Sequence, residues 1–169
     1  MNNSKAEKLS KLIGMPVDVV KRDIDKGMWD ILIELNSKNY FTLACCEGHL
    51  KENGDWNGYI TFVRPYKFST LPIDYQSVRQ RRSFYWEDNG EESREKFIKD
   101  LYEWALSLPV RELEEIKIYT LFGKSKRRAN GKWKKLRSSY DYYDIELELN
   151  RSQTKKYELR FEEKVIGVK

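Results

Sequence analysis

The chain has 169 residues, the length of one ordinary domain, with 32 Lys and Arg against 27 Asp and Glu, a formal net charge of +5 and a sequence pI near 9.0. Leu, Ile, Val and Phe make up about a quarter of it, and 5 Trp, 11 Tyr and 7 Phe supply rings for a core, which excludes disorder throughout. No apolar run approaches the ~20 residues of a membrane span, the start Met1-Asn2-Asn3-Ser4-Lys5 has no signal-peptide stretch, and two cysteines do not make a disulfide framework.

Those cysteines, Cys45 and Cys46, are neighbours, and a bridge between them would strain the intervening peptide. Two free thiols fit a reducing compartment, so a cytoplasmic protein is expected. With His49 the one histidine, a site of four cysteines or of two cysteines and two histidines is excluded. No cofactor is predicted; Cys46 and His49 are the residues that could meet a metal. Four alanines against eleven tyrosines, with many Lys, Asn and Ile, match AT-rich coding, which points to a low-GC bacterium or its phage.

In chain order, residues 1–13 predict a short, loosely attached helix around Leu9, Leu12 and Ile13. Pro16 suits the first turn of the next helix, where Val17, Val20, Ile24, Met28, Ile31 and Leu35 form one apolar stripe. Gly27 interrupts it, and Asn39 suits a left-handed residue after its end. Residues 40–46 read as a strand apolar on both faces and hence central in a sheet. A second strand spans 59–63 and stops at Arg64-Pro65, residues 64–80 read as irregular, and a third strand spans 83–87. The clearest helix follows: Asp88-Asn89 can cap it, Glu91 and Glu92 suit its positive end, and Phe97, Leu101, Trp104, Ala105 and Leu108 form its stripe up to Pro109.

Asn130-Gly131 is the favoured type I′ hairpin dipeptide. A two-residue turn there sets Ile116 opposite Ile145, Ile118 opposite Tyr143 and Lys117 opposite Asp144, and Tyr143, Ile145, Leu147 and Leu149 alternate with acids as a half-buried strand should. The tail is ambiguous, since residues 154–165 fit both a strand and a helix face. The expected architecture is one α+β domain over 1–169. Its sheet, mixed or antiparallel, has about five strands packed by two or three helices, with a long protruding β-hairpin.

The same register puts Lys124 across from Arg137, Lys126 from Lys135 and Arg127 from Lys134, and opposed like charges destabilise a ladder. Six such pairs would project roughly 20 Å at ~3.4 Å per residue. Residues 124–137 hold +8 with no acid, residues 64–82 hold +4, and the remainder of the chain therefore carries −7. Such an arm is either a solvated loop or a surface neutralised by an anion. The predicted nucleic-acid contacts are Lys124, Lys126, Arg127, Arg128, Lys132, Lys134, Lys135 and Arg137 with Trp133 stacking, and secondarily Arg79, Arg81 and Arg82 beside Phe84, Tyr85 and Trp86.

Cys46, Glu47 and His49 can converge around Gly48, whose backbone conformation few other residues tolerate. They are the catalytic candidates: Cys46 as nucleophile with His49 as base, Cys46 and His49 as metal ligands, or a purely structural turn. Leu43-Ala44-Cys45-Cys46-Glu47-Gly48-His49, following Asn39-Tyr40-Phe41-Thr42, resembles the Cys-x-Gly-His pattern of small bacterial and phage proteins. More distantly it is similar to the Ser-Cys-Ser-Gly-Arg motif of the wybutosine-synthesis methyltransferase family, with Glu47 and His49 in place of the second Ser and the Arg. The resemblance covers roughly residues 28–63 and implies a compact α+β domain with an RNA or nucleotide connection.

Three functions stay open on these residues. The first is binding of nucleic acid or a phosphorylated nucleotide. The second is a phage anti-defence protein that meets a host protein, blocking a nuclease, or sequesters a signalling nucleotide. The third is an RNA- or nucleotide-modifying enzyme using the Cys-Glu-Gly-His turn.

Overall fold

A computed structural model describes residues 2–79, 82–128, 130–140 and 153–167. The fold is α+β, and the chain divides into two compact units, Met1–Glu112 and Leu113–Lys169. The strands form two antiparallel sheets of four and three, in place of the single sheet of about five expected from the pattern. No helix among the described residues is long and apolar enough to cross a membrane.

In the first unit, α1 (Asn2–Ile13) is docked, not loose: Ala6 and Leu9 are fully buried against the following helices. The expected long helix is broken into α2 (Val17–Asp23), a 3-10 turn (Lys26–Met28) and α3 (Trp29–Ser37). Its stripe still faces inward, with Val20, Met28, Ile31 and Leu35 fully buried. The break falls at Ile24 and Asp25, both extended, and the Trp29 indole N–H donates to the Ile24 carbonyl (3.0 Å) left over at the end of α2. Buried Asn36 ties α3 to the next strand, donating to the Leu32 carbonyl and Thr42 Oγ1 and accepting the Thr42 N–H. Asn39 takes the expected left-handed conformation (φ 67°).

The sheet runs in the order β1 (Thr42–Cys46), β2 (Asp55–Phe62), β4 (Ser83–Asn89), β3 (Ser77–Arg79). β1 is thus an edge strand, not a central one. Ala44, Cys45 and Cys46 make the run look apolar but carry little area to bury, and they are exposed or half-buried. β3 falls within the stretch expected to be irregular; three residues are too few to give an alternation to detect.

Trp56, Ile60 and Phe62 of β2 and Phe84 and Trp86 of β4 face the core, where they meet α4 (Glu91–Ser107) through Phe97, Leu101 and Trp104. The helix ends just before Pro109, as expected, while Gly90, not Asp88-Asn89, occupies its N-cap. The long connection after β2 is pinned from within: the Trp104 and Trp86 indoles donate to the Thr70 and Ile73 carbonyls, and the Phe41 N–H donates to the Tyr66 hydroxyl.

In the second unit β5 (Ile116–Ser125) is the middle strand, between β6 (Lys134–Tyr140) and β7 (Tyr157–Ile166). The tail is therefore a strand, preceded by a helical turn at Gln153–Lys156. The expected strand around residues 143–149 lies outside the described residues. The two-residue turn at Asn130-Gly131 is not formed: β5 and β6 stop at Ser125 and Lys134, and the Gly131 N–H closes a turn onto the Arg128 carbonyl (3.0 Å). Irregularities at Tyr119/Thr120 and Leu121/Phe122 shift the register, so Arg137 faces Leu121 and Lys135 faces Phe122. The ladder that would have opposed lysine to lysine does not exist. Lys124 instead pairs in register with Glu158 of β7.

At Gly58 sheet and helix approach closely, since a Cβ there would lie 2.6 Å from the Phe97 ring. Gly58→Ala is expected to cost about 1–3 kcal/mol as overpacking. A urea midpoint equal to that of the parent chain would contradict this packing.

Candidate functional site

The end of β1 and the break between α2 and the 3-10 turn meet at a small polar cluster. Asp25 Oδ2 accepts the Glu47 backbone N–H (3.1 Å), and Glu47 Oε2 accepts the Gly27 backbone N–H (2.9 Å). Each segment thus offers a carboxylate to the other's main chain. A Cβ at Gly27 would meet Glu47 Oε2, so a larger residue there would have to push this carboxylate off the Gly27 N–H. The second Glu47 oxygen faces the Arg94 guanidinium of α4 at 3.6 Å, and Arg94 is also paired with Glu91.

Gly48 has φ +80°, and a Cβ on it would lie 2.7 Å from the Trp56 ring, so both backbone and packing demand glycine. This turn brings His49 Nε2 to 3.4 Å from Asp25 Oδ1, with the imidazole largely exposed (69%). Cys46 completes the group: one ligand-capable atom from each of Asp25, Cys46 and His49 lies within 4.8 Å of the others. Of the catalytic candidates, Cys46 and His49 are brought together. Glu47 is turned away as a structural brace.

The two thiols differ because strand alternation sends them to opposite faces, Cys45 across from Ile60 and Cys46 across from Tyr59. Burial, with the Asp25 carboxylate adding to it, pushes the Cys45 thiol up to about 12. Cys46 is also raised, first by burial and then by Asp25, which accepts a hydrogen bond from the thiol; the Gly48 N–H on the sulfur opposes this only in part. A nucleophile must be a thiolate at working pH. The surroundings of Cys46 hold it as a thiol, which weighs against unassisted nucleophilic chemistry.

Sequence reasoning missed Asp25, the orienting group. Its signal was the interruption of the helical stripe at Gly27, which marks a place where the main chain leaves the helix.

The basic residues fall elsewhere. Lys126, Arg127, Arg128, Lys132, Lys134 and Lys135 are exposed, on the β5–β6 connection and the start of β6, and none makes an ion pair among the described residues. Lys124 is half-buried within β5, and Arg137 lies in β6. Trp133 is half-buried, with the Arg160 guanidinium of β7 4.8 Å from its ring centroid and 4.9 Å from that of Phe122. Arg160 is a second contributor that the sequence pattern did not reveal, because β7 had no assigned neighbour. In the secondary basic region, the described side chains do not form an exposed patch. Arg82 is 7% exposed, Phe84 and Trp86 are core, and Tyr85 stacks on Tyr59. Arg79 lies in β3, and Arg81 lies outside the described residues.

Comparison with protein-family models, with curated proteins and with solved structures gave no match, so both sites are read from their own chemistry.

Because Cys45 is neutral in the fold up to about pH 12 and ordinary thiols ionise near 9.0, its contribution to stability is complete below pH 9. It is lost as the pH rises from about 9 to the folded value of about 12, the interval in which only the unfolded chain releases the proton. Unfolding measured across this range should show a steeper loss in the parent chain than in Cys45→Ala. In the native protein at mildly alkaline pH, an alkylating reagent should modify Cys46 ahead of Cys45; the reverse order would refute the assignment of faces.

Proposed function

We propose that this protein binds single-stranded nucleic acid through the β5–β6 connection. The observation that carries the reading is the set of six exposed cations, Lys126, Arg127, Arg128, Lys132, Lys134 and Lys135, without an ion pair among the described residues. Two other cations of the same sheet are paired: Lys117 meets Glu163 at 3.8 Å and Arg160 meets Glu162 at 3.8 Å. The connection and the first residues of β6 thus leave positive charge for an outside partner.

The spacing suits an extended polyanion better than a single phosphate group. Six cations spread over the ten residues 126–135 address successive phosphates along a strand. Trp133, in their midst, offers a ring on which a base can stack, and Arg160 holds that ring from β7. Stacking on one ring is tolerant of sequence, so the expected binding is electrostatic with weak base preference.

If all six cations meet phosphates, the logarithm of affinity for a single-stranded oligonucleotide should fall with the logarithm of salt with a slope of about −4. Replacing Lys126, Arg127 and Arg128 by Gln should reduce that slope by about 2. Trp133→Ala should weaken binding by about 1–3 kcal/mol and leave the slope alone. Fluorescence anisotropy over a salt series reads all three. No binding at low salt, or binding indifferent to the triple replacement, overturns the proposal. Binding of a mononucleotide as tight as that of the oligonucleotide would move the reading to a nucleotide phosphate.

A further inference from the structure

We propose that Asp25, Cys46 and His49 form a zinc-type transition-metal site. All three residues lie in the first unit, and none belongs to the basic loop.

The donor set comes first. A carboxylate oxygen, a thiolate sulfur and an imidazole nitrogen are the three ligand types that zinc accepts, and thiolate with imidazole selects against magnesium and calcium. Geometry comes second. With metal–ligand bonds of about 2.0–2.3 Å, tetrahedral donors sit about 3.3–3.8 Å apart. His49 Nε2 and Asp25 Oδ1 already stand at 3.4 Å, and all three donors lie within 4.8 Å of one another. Closing the remainder needs a shift of about 1 Å by Cys46 or by the exposed His49 side chain.

Support for the ligands is the third observation. Asp25 uses Oδ2 to accept the Glu47 N–H, which fixes the carboxylate and leaves Oδ1 turned to His49. The Gly48 N–H donates to the Cys46 sulfur, as it would to a bound thiolate. Supporting hydrogen bonds of this kind orient metal ligands and tune their basicity. Glu47, the remaining carboxylate beside the cluster, is held by Gly27 and Arg94 and does not complete the set. The site therefore offers three protein ligands and leaves a fourth position to water, which is the arrangement of an open zinc centre. Binding displaces the thiol proton to solvent as the Cys46 sulfur bonds the metal.

The test is titration of the reduced full-length protein with Co2+, followed by displacement with Zn2+. One equivalent of cobalt per chain is expected to give a thiolate-to-cobalt charge-transfer absorption and tetrahedral d–d bands, both erased by one equivalent of zinc. Cys46→Ser should abolish the charge-transfer band and Cys45→Ser should keep it. His49→Ala and Asp25→Asn should each weaken binding at least about tenfold, the scale on which even supporting partners of a ligand count. His49 is exposed, so its replacement leaves the fold intact and keeps the test decisive if Cys46→Ser fails to fold. A natively folded chain that shows no charge-transfer band overturns the proposal, as does a band that survives Cys46→Ser or an affinity unchanged in His49→Ala.

Discussion

The reciprocal clamp between Asp25 and Glu47 is the constraint around which the first unit is arranged. Two carboxylates each accept a backbone N–H from the opposite segment, Glu47 N–H onto Asp25 and Gly27 N–H onto Glu47. Hydrogen bonds from main-chain donors to charged acceptors are stronger than neutral ones. This explains why a stripe that reads as one helix is broken: a continuous helix would keep the Asp25 backbone helical and its neighbours' N–H groups inside the helix. By leaving it, the chain brings Asp25 to the end of β1 and lets the Gly27 N–H reach the Glu47 carboxylate. Arg94 then ties the clamp to α4. The same contacts that hold the turn also set Cys46 and His49 in place.

Charge in the second unit follows a different logic. β5 is basic near its end and β7 is acidic along much of its length, so their pairing sets Lys124 against Glu158 and brings Lys117 to Glu163. The predicted hairpin register would have opposed like charges; the shifted β5–β6 register avoids this, and β7 sets an acid opposite Lys124. Each surface pair is worth little alone. Their effect is on register: they favour the alignment of β5 with β7 in which Lys117 and Lys124 meet acids.

The helices were legible because their stripes carry large side chains with strong periodicity. Phe97, Leu101, Trp104, Ala105 and Leu108 are all buried as their spacing requires, and Gly48 and Asn39 take the positive φ their residue types suggest. What was not legible depends on contacts between distant segments. The edge position of β1 follows from which strands find it, and small residues such as Ala44 and Cys45 give no area to decide the matter. The β5–β6 register was read from Asn130-Gly131, a local signal, and was overruled by bulges and by β7, which sits more than thirty residues from β5 in sequence. Of the polar cluster, Cys46 and His49 were visible as neighbours. Asp25 was not, because a single acid at the end of a helix is common and its role comes from Glu47 reaching it.

The adjacent cysteines show how much a strand can separate residues that are one peptide apart. Alternation places Cys45 toward Ile60 and the core, where burial keeps it a thiol far above neutral pH. Cys46 goes to the other face, between a backbone N–H that favours negative sulfur and a carboxylate that opposes it. For an isolated thiol this opposition is self-defeating, since Asp25 both orients the sulfur and holds its proton. A cation between them would reverse the sign: it attracts both, and the proximity that raises the thiol becomes the spacing of two ligands. The arrangement of Asp25 against Cys46 is poor design for a nucleophile and sound design for a cation site, and that asymmetry is what separates the two readings of the same three side chains.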